Sequence, residues 1–138
     1  MASYYFPRMG YPVAGIPIDR YGDILSGYFA QACMRQLGGT LRVGTPVAEH
    51  RRNNHSYMKD ALHEWGCILL LEDLLPWLTQ EVKLCGDSYL EAYTSLSHEI
   101  DEVAGRFKGP IWNETTHDYL HLMAHCMRQW TQVCRSLG

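Results

Sequence analysis

The stretch from Ser56 to Ser136 is written almost wholly in helical spacing, and this constrains the fold more than any other feature. Ser56 opens a pattern that runs to about Gln80. Gly66 and Pro76 are expected to break it into helices over Ser56–Trp65 and Ile68–Leu78. Ser88 then caps a helix reaching Phe107, with Tyr89, Ala92, Tyr93, Leu96, Ile100 and Val103 turned inward. Gly109-Pro110 ends that segment. Asn113 caps the longest helix, to about Ser136, with Leu120, Met123, Met127, Trp130 and Cys134 on one stripe. A chain of 138 residues with 46% apolar content has the size and the material for one core. The expected fold is mainly α: a single helical domain over 18–138, preceded by an arm over 1–17.

The N-terminal third is less regular. Residues 1–18 are rich in Gly, Pro and aromatics (Tyr4, Tyr5, Phe6, Pro7, Tyr11, Pro12, Pro17) and are expected to form an irregular arm. Such an arm packs on the domain or on a second copy. Asp23 reads as the N-cap of a helix that buries Ile24, Tyr28, Ala32, Cys33 and Leu37 and stops at Gly38-Gly39. Leu41–Ala48 alternates and is partly β-branched, so one or two short strands are expected near the N-terminus. This strand has no hairpin partner nearby in sequence, and its unpaired ladder groups call for a homodimer or an obligate complex.

Charge is divided. Residues 1–59 hold seven Lys/Arg against three acids, and residues 60–138 five against twelve, for a net charge of −3. The basic half favours a phosphate-bearing ligand, and the acidic half supplies solvated helix faces or a surface for a basic partner. An acidic chain is a poor generic nucleic-acid binder. The five cysteines form no Cys-x-x-Cys pair, so neither a disulfide framework nor a zinc ribbon is indicated and a reducing, cytoplasmic setting is expected. No signal peptide is evident, and the run Ile68–Leu71 is too short for a bilayer.

Three groups of residues carry chemistry. Asp23, at a helix start, is either a cap or a carboxylate that orients or deprotonates an acceptor hydroxyl. His50 ends the expected strand and can ligate a divalent metal, while Arg51 and Arg52 can clamp a diphosphate. The plain alternative for these three is a solvated basic turn. His117, His121 and His125 recur every four residues on the last helix and share a face. They read as a polar stripe at a helix–helix or subunit contact, with a transition-metal site as the alternative.

Ile18–Gly27 followed by Val43–His50 resembles the reversibly glycosylated polypeptide family, which includes the UDP-arabinopyranose mutases. In that family a segment of the form Arg-Phe-Asp-Asp-Ile/Met-Trp-Ala-Gly opens a helix, and a Gly-x-Pro-Tyr-x-x-His strand follows. Arg20 matches the arginine, Tyr21 the Phe, Asp23 the second Asp and Gly27 the Gly, while Gly44, Pro46 and His50 match the strand. Asn53–Glu64 is similar to the Asn…Lys-x-Glu helix after it. Gly22, Leu25 and Ser26 depart from the pattern, so the first carboxylate of the pair is lost.

The resemblance covers residues 18–65 and implies the C-terminal part of a nucleotide-sugar transferase fold. It assigns Asp23 to the acceptor, Arg20, Arg51 and Arg52 to the substrate, and His50 to the metal. The family's nucleotide-binding half, with its Asp-x-Asp metal site, lies upstream in those proteins and has no counterpart in these residues. The chain is therefore expected to be a remnant or accessory subunit without catalysis alone. No cofactor is expected for the isolated chain, and a divalent metal only where a partner completes the site. A nucleotide-sugar would bind only with a second chain. The competing expectation is a non-catalytic protein-binding module, such as a small phage-type inhibitor or adaptor.

Overall fold

The computed structural model describes residues 10–47, 49, 51 and 56–137. The structure is mainly helical, with a two-stranded hairpin ahead of four helices. The hairpin pairs β1 (Tyr11–Val13) with β2 (Ile16–Ile18), antiparallel, with Val13 opposite Ile16 and Tyr11 opposite Ile18. Ala14 and Gly15 make its turn with φ of 50° and 80°, the pair of left-handed conformations that matches the twist of a two-residue hairpin. Residues 11–18 are thus ordered, where the Gly and Pro content suggests an irregular arm. Pro12 and Pro17 face each other across the ribbon, and both stand exposed on a two-stranded sheet that needs no further ladder from them. Val13 and Ile18 are buried, and Tyr11 stacks on Tyr119 at 5.6 Å, so this part of the arm packs on the domain. Tyr4, Tyr5, Phe6 and Pro7 lie outside the described residues.

Helix α1 (Gly22–Gln36) follows directly. It buries Leu25, Phe29, Ala32 and Cys33, at i, i+4, i+7 and i+8. The phase differs by one residue from the sequence expectation: Ile24 stays 37% exposed, and Tyr28 only flanks the core. Both phases are apolar in sequence, and the one selected lets Phe29 fill the interior.

Helix α2 (Tyr57–Pro76) is capped by Ser56, whose Oγ accepts the Lys59 amide at 3.4 Å. It runs unbroken through Gly66. A Cβ there would stand 3.2 Å from Cγ1 of Ile18, so glycine serves the close crossing of helix and hairpin rather than a helix end. Pro76 does interrupt the α pattern, and the chain passes into a π-helical turn at Trp77–Glu81.

Helix α3 (Tyr89–Val103) has a reciprocal cap: Ser88 Oγ accepts the Glu91 amide at 3.2 Å, and Glu91 Oε2 accepts the Asp87 amide at 2.9 Å. The Asp87 amide, together with the Ser88 hydroxyl donating to the same oxygen at 3.1 Å, holds the Glu91 carboxyl below its ordinary range. The helix ends at Val103, short of Phe107, which stacks on Trp112 at 4.6 Å. Tyr89 is half exposed, while Ala92, Tyr93, Leu96, Ile100 and Val103 are buried as the spacing indicates. Helix α4 (Glu114–Ser136) is capped by Asn113 and packs along α3. Leu120, Met123 and Met127 are buried, and Trp130 is partly so.

The segment expected to be a strand, Leu41–Ala48, is not one. Residues 41–47 have no regular structure and are exposed throughout, with Val43 and Val47 fully so, and Ala48 lies outside the described residues. A strand needs a neighbour for its ladder, and the two described strands already use each other. No helix among the described residues is long and apolar enough to cross a membrane.

Candidate functional site

Arg20, Tyr21, Asp23 and Gly27, which carry the first half of the resemblance, lie where the hairpin hands over to α1, whereas Gly44 and Pro46 lie on the exposed stretch after it. Tyr21, not Asp23, is the residue before the helix, and it caps nothing with its side chain. Asp23 falls in the first turn, exposed, and its Oδ1 accepts the adjoining Ile24 amide at 3.0 Å. Ser26 bonds back to the Asp23 carbonyl at 2.9 Å. Tyr21 is 8% exposed; burial raises its phenol above the ordinary range, with the charges of Tyr28, Cys67 and Glu64 adding to the effect. Tyr21 therefore anchors the helix start as a neutral ring.

Two ion pairs fasten this segment to the first turns of α2. Arg20 pairs through Nη1 with Asp60 Oδ1. His63 Nδ1 lies 3.2 Å from Asp19 Oδ2, and the Asp19 amide donates to the His63 carbonyl at 3.1 Å. The backbone bond fixes register, and the two side-chain pairs flank it. Asp60 and His63 are three apart on one helix face, which is why a single segment reaches both. Neither residue carries a signal in the sequence, because the contact joins positions 40 residues or more apart.

Arg51 stands on the long connection between α1 and α2, exposed, with Nε 3.1 Å from Glu49 Oε1. So exposed a pair contributes little to stability and leaves the guanidinium accessible. His50 and Arg52 lie outside the described residues. Of the five residues singled out in sequence, Arg20 and Asp23 thus share one helix entrance, and Arg51 sits on the connection leading into α2. Among the described residues no group of three His, Cys, Asp or Glu is arranged to hold a metal ion.

A second polar group spans α3 and α4. His121 Nδ1 lies 2.6 Å from Asp101 Oδ1, and Arg128 Nη2 lies 3.1 Å from Asp101 Oδ2. Arg128 also donates to the Ser97 carbonyl at 3.3 Å. His98, Asp101, Glu102 and His121 line an open depression of about 340 Å³. One member of the histidine stripe thus makes a helix–helix contact. His125 is exposed, and His117 stacks beside Trp112 at 6.3 Å.

Burial pushes the Asp101 carboxyl up, but the His121 hydrogen bond and the Arg128 charge outweigh it and hold it below its ordinary 3.8. A carboxyl depressed in the folded state stabilises the fold above its ordinary pKa and loses that contribution as pH falls through the folded value. The melting temperature should therefore drop as pH is lowered from about 5 through 3.8 and below. In Asp101→Asn that part of the drop should be missing; an unchanged profile would remove Asp101 from the account.

All five cysteines are free. Burial pushes the Cys33 and Cys67 thiols up to about 12, so neither is a nucleophile at neutral pH. Compared with models of known protein families and with curated proteins, the chain matches none.

Proposed function

We propose that these residues are the acceptor-side, C-terminal part of a glycosyltransferase-like fold, acting as an accessory subunit or remnant without catalysis alone. The supporting observation is the helix entrance. Asp19 and Arg20 are fastened to His63 and Asp60, and Asp23, one turn on, is exposed, its carboxylate accepting the adjoining Ile24 amide. A carboxylate fixed on a helix start and left open is suited to orienting an acceptor hydroxyl or taking its proton. Arg51, accessible on the connection, is suited to a diphosphate. The donor nucleotide, and any divalent metal, would be held by a nucleotide-binding half outside these 138 residues. The setting proposed is cytoplasmic, in a complex with protein and not with membrane or nucleic acid.

One observation favours a second reading, a non-catalytic protein-binding module such as a small phage-type inhibitor or adaptor. Met58, Leu62 and Trp65 are 82%, 58% and 50% exposed on α2, an apolar stripe of the kind that covers a partner.

Calorimetry of the purified chain with UDP and Mn²⁺ separates independent activity from the accessory role. No heat is expected at millimolar ligand, and no turnover of any UDP-sugar. Turnover by the chain alone, abolished in Asp23→Asn, would overturn the accessory reading.

A further inference from the structure

The bare segment Leu41–Val47 has a pattern that the fold leaves unused. Leu41, Val43, Thr45 and Val47 alternate with Arg42, Gly44 and Pro46. In an extended chain the first set shares one face and one hydrogen-bonding edge, and the second set shares the others. Pro46 has no amide hydrogen, so the edge of Arg42, Gly44 and Pro46 cannot continue a ladder. The opposite edge is intact. Leu41, Val43 and Val47 are 60%, 104% and 100% exposed, and no backbone hydrogen bond within 41–47 is made among the described residues.

The segment is also symmetric about Gly44. Read in either direction it runs apolar, polar or Pro, β-branched, Gly, β-branched, polar or Pro, apolar. We propose that two copies of this chain pair antiparallel through this segment about a two-fold axis at Gly44. Leu41 then stands opposite Val47 of the second copy, and Val43 opposite Thr45, as hydrogen-bonded pairs. Arg42 stands opposite Pro46 at a position where no amide is required, and no like charges face each other. A register centred one residue later, on Thr45, would set the Glu49 carboxylate against Leu41, which disfavours it.

A two-stranded ribbon is marginal by itself and needs its apolar face covered. Helix α2 offers the cover. Met58, Leu62 and Trp65 recur at i, i+4 and i+7 on the side away from buried Cys67, Leu70 and Leu74. The same helix is therefore apolar on two sides, one turned to the core and one turned outward. The connection from Val47 to Met58 is long enough to lay the ribbon over that stripe.

The test is sedimentation of the full chain over a concentration series, with two proline variants of opposite parity. Wild type should dimerise. Val43→Pro removes a ladder amide from each copy and should weaken the dimer by about 30-fold. Arg42→Pro, on the edge already blocked by Pro46, should leave the dissociation constant within about 2-fold. Both positions are exposed and outside regular structure, so circular dichroism should show the helices intact in both variants. Amide exchange of the concentrated wild type should show protection at Val43 and Thr45 and none at Arg42 and Gly44. A wild-type monomer at every concentration, equal effects of the two prolines, or absence of that alternation would each overturn the proposal.

Discussion

Phe29→Ala should cost about 3–5 kcal/mol, measured by urea unfolding with an unchanged slope. Phe29 is fully buried in the middle of α1, a member of the core, and α1 packs on α3. Losing the ring leaves a cavity in an interior that also fully buries Tyr93, Tyr119 and Leu120. Small domains keep only about 5–15 kcal/mol in total. The loss is therefore a large share of the fold's stability. Ile24→Ala in the same helix is the control. Its side chain is 37% exposed, and its removal should cost no more than about 1 kcal/mol. Equal losses in the two variants would mean that α1 turns a different face inward.

The second large effect is at Gly86. Its φ is +112°, and a Cβ built there would stand 2.4 Å from Cβ of Glu91 and 3.0 Å from that residue's carbonyl carbon. Neither neighbour can withdraw, because Glu91 closes the cap of α3 through Asp87 and Ser88. Gly86→Ala should destabilise by about 2–3 kcal/mol through the conformation and the clash together. Gly27→Ala should go the other way. Gly27 lies inside α1 with nothing within 4 Å of an added Cβ, so the substitution should gain about 0.5–1 kcal/mol of helix propensity. Thermal melts of the two variants should thus move in opposite directions. A shift of the same sign in both would contradict the local geometry given for one of them.

Where the fold was legible in the sequence, the signal was local and redundant. Ser88 and Asn113 each carry a capping oxygen at the start of a long apolar period, and α3 and α4 begin where those residues stand. Gly66 misled because a glycine in a helical pattern reads as a break, whereas here the missing side chain makes room for Ile18, 48 positions earlier in the chain. Leu41–Ala48 misled for the converse reason. Alternation states what a segment is suited to, and a strand appears only where a neighbour supplies the other half of the ladder. Two short strands do lie near the N-terminus, but at 11–13 and 16–18, where the prolines read as irregular though both fall where a two-stranded ribbon tolerates them.

The site divides along the same line. Arg20 and Asp23 were visible because they sit three residues apart in one short run, and the structure keeps them at one helix entrance. Asp60, His63, Asp101 and Arg128 carry no such run, and their roles come only from contacts 20 or more residues apart. Pairings of that kind are a property of the packing of the hairpin and the residues after it on α2, and of α3 on α4. The sequence offers separate local patterns for each partner and nothing that names the meeting point.

The proposed role of Asp23, active only when a nucleotide-binding half is joined to these residues, is open to one experiment: recovering the tagged chain from its own cells with whatever it binds, and assaying that complex for sugar transfer from UDP-sugars with Mn²⁺. Wild type and Asp23→Asn should recover the same partner in equal amount, and transfer should fall by about 100-fold or more in the variant. Equal transfer by both, or none by a complex that carries its partner, would contradict the account.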